Sequence, residues 1–357
     1  LSGFKIPYDE LTDVESFVTS AWPSNHVERV ARMTQGKMKF LIHPKEFEAG
    51  WYTSVGYTEG FPTASWRVAM ILWEDHPYYA KLHYSWMLGR ITREMTKKRV
   101  AWGSKISWEL ASLIASGKLG NYFSYYPESL WIVTKKYHNK EVGMCYREFQ
   151  EWYKNKASIP FFSLMAKDPR DPESLELILQ IIEQADSPKT YFLEKIVTPL
   201  ILCIRDLLFK WWLLPENHGQ NILLEIEESL VQNRIIHRDL YEFYVDKQIR
   251  EMLWLSIDGF EKLLDVHDDP TTYFRMKSYM FDFKFWEYVL APLTALVAKH
   301  LQIPEKELID DIIEIFESSS TEWKEIFSPY DTAYNFDKVV QTYINGKPDF
   351  KFAGKPR

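Results

Sequence analysis

Glycine is scarce in this sequence, at 14 of 357 residues. None of the fourteen falls into a G-x-x-x-x-G-K-[ST] or G-x-G-x-x-G pattern, so neither glycine loop that wraps phosphates with backbone N–H groups is present. A nucleotide, if bound, has to be held by side chains. Cysteine is scarcer still. Cys145 and Cys203 stand far apart and match no metal or redox spacing, which fits a reducing cytoplasm. Two thiols cannot supply the four ligands of an iron–sulfur cluster, so a cluster-dependent reductase is excluded. H-E-x-x-H, paired C-x-x-C and G-x-S-x-G are also missing. Long apolar runs are lacking too. The most apolar stretch, Ile196 to Ile204, is about half the length a membrane span needs, and Arg205, Asp206 and Lys210 follow it. There is no excess of positive charge either. The net charge of −7 argues against a general nucleic-acid binder. No N-terminal signal is visible. The chain starts with Leu1, which is expected of a processed or trimmed product.

Aromatic residues, in contrast, are abundant, with 14 Trp, 21 Tyr and 22 Phe. Large core side chains explain them more simply than a dedicated binding surface. A composition of 46% hydrophobic and 26% charged residues is that of a soluble globular protein, and the length predicts roughly two domains. Residues 1–155 read as mixed α and β. A helix is expected over 10–35, broken at Pro23, and a strand over 37–44. A second strand runs from Arg67 to Trp73. Tyr78 to Leu88 alternates, with Lys81, His83 and Ser85 on one face, and is expected to be half-buried. A helix over 106–116 and a strand over 129–137 follow. Residues 156–357 read as mostly helical. Helices are expected over 173–184, from Ser187-Pro188 onward, and over 240–255, 272–300 and 304–317. The class is therefore α+β, with a β-hairpin over 220–239 set into the helical half.

Three groups of residues carry candidate chemistry. Thr63-Ala-Ser65-Trp-Arg67 places a hydroxyl and a guanidinium before a strand, where they can hold phosphate oxygens. By itself it reads as a turn with a surface arginine. The cations Lys81, Arg90, Arg93, Lys97, Lys98, Arg99 and Lys105 would suit a polyanion, although a basic run is usually a solvated face. Lys81 lies on the strand returning from Arg67, so the two can share one pocket. Arg67 and Arg93 are expected to be exposed there, and their loss to leave the fold intact.

The third group is the hairpin. Pro215-Glu-Asn-His-Gly-Gln-Asn leads into a strand over Ile222 to Glu227, and Arg234 to Asp239 is the return strand. Antiparallel pairing brings the start of the first strand beside the end of the second. Glu216, His218, Gln220 and Asn221 are then expected near Asp239. Two carboxylates at one spot need a cation, and Mg²⁺ takes one or two carboxylates plus phosphate oxygens. The alternative is a set of polar caps, with His218-Gly219 no more than a turn. Arg275-Met-Lys277 alone reads as helix surface.

In order along the chain, His43-Pro44, Ser65-Trp-Arg67, Lys81, Gly89 to Arg93, Glu216-Asn-His218-Gly-Gln220-Asn221 and Arg238-Asp239 resemble the motifs of the siderophore synthetases that work without nonribosomal peptide synthetases, the IucA/IucC family. The resemblance covers roughly residues 40–300. Val68 and Gly89 stand where that family has threonine, and the stretch before His43 has no counterpart of its N-terminal lobe. The resemblance implies an ATP-dependent ligase that adenylates citrate or a related acid and condenses it with an amine or alcohol. It implies ATP and Mg²⁺ as cofactors. Ser65, Arg67, Lys81 and Arg93 would hold the phosphates and the acid, with Thr92 close by. Glu216 and Asp239 would hold Mg²⁺. His218, Gln220 and Asn221 would orient nucleotide and acyl group, and Arg275 or Lys277 would meet a distal carboxylate. Arg93, His218 and Lys81 would be the catalytic residues. No nucleic acid or membrane is expected as a partner, and a homodimer is left open. A non-catalytic relative acting as a binding or partner subunit is the alternative.

Overall fold

The computed structural model describes residues 3–18, 37–63, 65, 67–73, 76–88, 91–137, 140–148, 156–227, 233–260, 262–265, 267–268, 273, 276–277, 279–320, 343–344 and 347–348. The chain divides into two compact units. The first takes Leu1–Lys118, Tyr125–Lys154 and Asp239–Tyr241, and the second takes the remainder.

The first unit is built on an eight-stranded sheet. Its strands are β1 (Phe4–Leu11), β2 (Glu15–Val18), β3 (Met38–Leu41), β4 (Gly56–Pro62), β5 (Val68–Trp73), β6 (His76–Lys81), β10 (Leu130–Thr134) and β11 (Val142–Glu148). They run in the order β2-β10-β11-β6-β5-β4-β1-β3, and all neighbours are antiparallel. A separate hairpin pairs β7 (Tyr84–Leu88) with β8 (Ile91–Arg93). Helix α1 (Pro44–Glu48) follows β3, and α2 (Lys97–Ala115) follows β8. One face of the sheet buries Ile6, Phe40, Ile71, Ala80, Ile132, Met144 and Tyr146 in a single core. On the other, Trp131, Val133 and Cys145 pack with Met95 and with Val100 of α2. Thr96 caps α2 by accepting from the Arg99 N–H at 3.4 Å. Gly103 lets this helix come close. A Cβ there would lie 2.7 Å from the Trp131 ring and 2.8 Å from Glu128 Oε2.

Two sequence expectations fail in this unit. Residues 10–11 and 15–18 are strand rather than helix, because β1 finds partners in β3 and β4, and β2 in β10. Residues 19–36 lie outside the described residues. The stretch 78–88 is not one half-buried strand. It breaks between β6 and β7, and Lys81, Leu82, His83 and Tyr84 are all buried, whichever way they point. Packing on both faces overrides the alternation that a solvated sheet would show.

The second unit holds a four-stranded sheet in the order β12-β14-β15-β9. Its strands are β9 (Phe123–Tyr125), β12 (Lys156–Pro160), β14 (Ile222–Glu227) and β15 (Arg234–His237), while β13 (Leu213–Leu214) pairs instead with the strand Tyr244–Asp246. Around it lie short helices α3 (Phe161–Leu164) and α4 (Leu177–Ile182). Helices over 188–210 and 279–301 and a further one at Glu305–Ser319 complete the main framework. The helix starting at Pro188 buries Phe192, Ile196, Leu200, Ile201, Ile204 and Leu207, as its all-round apolar character predicts. The expected helix over 240–255 is replaced by a short turn, the strand Tyr244–Asp246 and the helix Lys247–Met252. Asp246 interrupts it by capping that helix, accepting from the Ile249 N–H at 3.3 Å. The α+β class holds.

Candidate active site

Lys81 ends β6 directly opposite Cys145 on β11. Opposed residues of an antiparallel pair share a face, and so do residues two apart on one strand. Arg147 therefore joins Lys81 on that face. Glu128, two residues before β10, lies behind them and is fully buried. Arg147 donates to Glu128 Oε1 from Nε at 2.9 Å and from Nη2 at 2.5 Å. The same Nη2 donates to Asp239 Oδ1 at 3.0 Å. Lys81 Nζ bonds that same Asp239 oxygen and lies 3.8 Å from Glu128 Oε1. The result is a ring of alternating charge: Lys81, Asp239, Arg147, Glu128. Asp239 holds its place with a left-handed backbone, φ +67°, a conformation that Asp tolerates better than most residues.

Arg67 belongs to the same unit. Its carbonyl accepts from the Leu82 N–H at 2.8 Å, which fixes it beside Lys81. Its guanidinium is buried, and Nη1 donates to the Arg93 carbonyl at 2.7 Å and to Met95 Sδ at 3.1 Å. The expectation of an exposed Arg67 is thus corrected: its side chain ties the start of β5 to the end of β8. Burial, then the charges of Arg93, Arg147 and Arg99, push its proton affinity down to about 9. Burial and Arg147 push the Lys81 ammonium well below the usual lysine range, against the pull of Glu128. The causes agree that cations outnumber anions here. Among the described residues Arg67 has Arg93, Arg147 and Arg99 around it against Glu128, and Lys81 has Arg147 and Arg67 against Glu128 and Asp239. Such a surplus in a desolvated setting attracts anions strongly. His83 is nearby and neutral, pushed down to about 4 by burial, and its Nδ1 accepts from the Met95 N–H at 3.1 Å.

The other predicted residues of this unit are placed as follows. Ser65 lies in a turn closed by Thr63, whose Oγ1 accepts from the Ser65 N–H at 3.1 Å and donates to the Val68 carbonyl at 2.8 Å. Thr92 pairs with Met87 across the β7–β8 hairpin, and its side chain lies outside the described residues. So do Gly89 and Arg90.

In the second unit the hairpin forms with Ile222 opposite His237 and Glu225 opposite Arg234. The Arg238 N–H donates to the Asn221 carbonyl at 2.9 Å, so the return strand ends beside Asn221 as the pairing argument requires. Asn221 Nδ2 donates to Glu216 Oε2 at 2.6 Å, and Lys284 Nζ lies 3.0 Å from Glu216 Oε1. Burial works against the charge of Lys284, but Glu216 and Tyr279 together outweigh it and raise its proton affinity. The His218 carbonyl accepts from the N–H groups of Asn221 and Ile222, and its Nδ1 from the Gln220 N–H at 3.4 Å. His218 thus closes the turn through its backbone and its ring, and the ring stands edge-on to Phe162 at 4.5 Å. Gly219 lies against the Phe162 ring, where a side chain would collide.

Glu216 and Asp239 fall in different units, and each carboxylate already meets cations of its own unit. Among the described residues no group of three His, Cys, Asp or Glu side chains could hold a metal ion. Lys277 is buried, with Nζ 3.0 Å from Asp246 Oδ2 and bonded to Tyr273 Oη, and Tyr273 donates to Asp246 at 2.6 Å. Arg275 lies outside the described residues. Sequence reasoning missed Glu128, Arg147 and Lys284. A charged residue inside the apolar strand Val142–Glu148 was the available signal for Arg147. Nothing local marked Glu128 or Lys284.

Several solved structures share this architecture. The petrobactin biosynthesis protein AsbB from Bacillus anthracis str. Sterne superposes with a TM-score of 0.72 at 14% identity, over 99% of this chain and 68% of its own. The aerobactin synthetase IucC from a hypervirulent pathotype of Klebsiella pneumoniae gives 0.66 at 16% identity, over 91% and 64%. The ATP-bound aerobactin synthetase IucA from the same source gives 0.65 at 14% identity, over 89% and 62%. The chain has the siderophore-synthetase fold. It spans about two thirds of the length of these synthetases. At such identities the likeness is one of fold, and it bears out the resemblance carried by the motifs at that level. No family model and no curated protein sequence matches the chain. No helix among the described residues is long and apolar enough to cross a membrane.

Proposed function

We propose that this chain is an ATP-dependent ligase that activates a carboxylic acid, citrate or a related acid, as its adenylate and passes the acyl group to an amine or alcohol in siderophore biosynthesis. The observation that carries the reading is the surplus of cations at Arg67, Lys81, Arg93 and Arg147, on a fold shared with an ATP-bound synthetase. A carboxylate oxygen attacks the α-phosphorus, the bond from that phosphorus to the bridging oxygen breaks, and pyrophosphate leaves. The amine nitrogen or alcohol oxygen then attacks the acyl carbon. AMP leaves with the former carboxylate oxygen, and the nucleophile loses its proton. Both anions must approach one another, so pre-placed cations lower the barrier by offsetting their repulsion.

In this reading Lys81 and Arg93 carry the charge stabilisation, and Ser65 and Arg67 support the phosphate side. His218, Gln220 and Asn221 are the proposed hydrogen-bonding groups of the second unit. Mg²⁺ is the counter-ion of the triphosphate. Oδ1 of Asp239 would take it by releasing Lys81 and Arg147, and Oε1 of Glu216 by releasing Lys284. The test is pyrophosphate release across a panel of carboxylic acids, with and without polyamines and amino acids, beside thermal melting with Mg-ATP. Acid-dependent pyrophosphate and a raised melting temperature are expected. A thermal shift without pyrophosphate for any acid would favour the non-catalytic relative. Neither signal would remove the nucleotide reading altogether.

A further inference from the structure

The ring of Lys81, Asp239, Arg147 and Glu128 is not symmetrical. The Glu128 side chain has no solvent exposure, whereas that of Asp239 is 20% exposed. Glu128 clamps Arg147 from the inside through two bonds to one oxygen. It has little room to move, since α2 passes so close that a Cβ on Gly103 would lie 2.8 Å from its Oε2. Asp239 meets both cations from the outside, through the single oxygen Oδ1. It does so from a left-handed backbone position just past β15.

We propose that Lys81 and Arg147 together form an anion seat, that Arg147 binds an incoming phosphate or carboxylate oxygen there, that Glu128 is the positioning residue that aims Arg147, and that Asp239 is the exchangeable carboxylate the anion displaces. This rests on the ligase reading of the site and adds Arg147 and Glu128 to it. The chemistry favours such an exchange. Both ligand classes offer the oxygens that guanidinium and ammonium groups bind by charge-assisted hydrogen bonds. An anion that brings more negative charge than Asp239 also relieves the mutual repulsion of Lys81, Arg147 and Arg67 better than Asp239 does. Burial is the main cause of the lowered proton affinity of Lys81, and Arg147 and Arg67 lower it further.

Calorimetry without magnesium, in chelator, tests this on the whole chain. The probes are ATP, inorganic pyrophosphate and citrate, and the proteins are the wild type, Asp239→Asn, Asp239→Gly and Glu128→Gln. Asn and Gly both suit a left-handed φ, so the two replacements at 239 are compatible with the backbone. Losing the competitor is expected to tighten one anion class by about three- to tenfold, the effect of removing part of a charge-assisted contact. Glu128→Gln is expected to weaken the same class by about tenfold with Lys81 intact. The class that responds shows whether phosphate or carboxylate uses the seat. The gain at 239 should persist at about 0.5 M salt, where a general field effect would be screened away. If the wild type binds an anion and neither replacement at 239 tightens it, or the gain vanishes in salt, the exchange is wrong while the ligase reading stands. If both replacements at 239 unfold the protein, Asp239 is a structural ion-pair member and the exchange is equally wrong. If the wild type binds no ATP even with magnesium, the ligase reading falls too.

Discussion

Arg67 and Arg93 meet through side chain and backbone: the Arg67 guanidinium donates to the Arg93 carbonyl at 2.7 Å, across 26 residues of sequence. Their roles therefore diverge. Arg67→Ala removes a buried donor and leaves that carbonyl unmatched, a loss of about 1–3 kcal/mol. A fall of several degrees in melting temperature is expected, along with lost activity. Arg93→Ala keeps the backbone contact and should melt like the wild type while adenylation falls. Equal melting temperatures for both variants would show that the Arg67 bond contributes nothing to stability.

Asp239→Asn should lower turnover strongly, with part of it returning at high Mg²⁺, because the site keeps its phosphate cations and loses one oxygen ligand. His218→Ala should lower turnover with no such recovery. A magnesium series on both variants, at saturating ATP and acid, checks this. Recovery in both, or in neither, would separate Asp239 from the metal.

His83 and His237 make stability depend on pH. Burial pushes them down to about 4 and about 3 from the ordinary value of 6.5. The unfolded chain binds protons below that ordinary value while the native state does not, so stability is complete above it and falls as pH drops toward 4. Denaturant melts at pH 7 and pH 5 should show the native state weaker at the lower pH. His83→Gln should reduce that difference. An unchanged pH dependence in His83→Gln would mean that this imidazole is solvated.

Gly219 is required by contact rather than by backbone conformation. Gly219→Ala drives a methyl into the Phe162 ring and should destabilise the His218–Asn221 turn. Adding Phe162→Ala should restore part of the loss. Double-mutant melting curves decide it, and simple additivity would refute the clash.

Lys277 sits in a buried set with Asp246 and Tyr273. Lys277→Met should destabilise the protein by leaving Asp246 without its cation, by about 3 kcal/mol or more. Should the protein melt normally and lose only affinity for the acid, the substrate role implied by the motif resemblance would be the better account.

The strand Ile222–Glu227 and its return were legible in the sequence, because a run of branched apolar residues between polar turns has few other conformations. So were the α+β class and the absence of any glycine phosphate loop. Lys81 could be singled out, since it lies on the strand returning from Arg67. The helix expected over 10–35 and the alternation over 78–88 failed for one reason: local periodicity cannot report which strands pair or whether both faces are covered. Register decided the site. Opposing Cys145 to Lys81 carries Arg147 to the same face, and the loop before β10 brings Glu128 behind both. Neither residue is near Lys81 in the chain, and no residue type announces a partner across a sheet. Sequence fixes which charges exist; long-range pairing decides which of them must share one desolvated space, and there the cations come to outnumber the carboxylates.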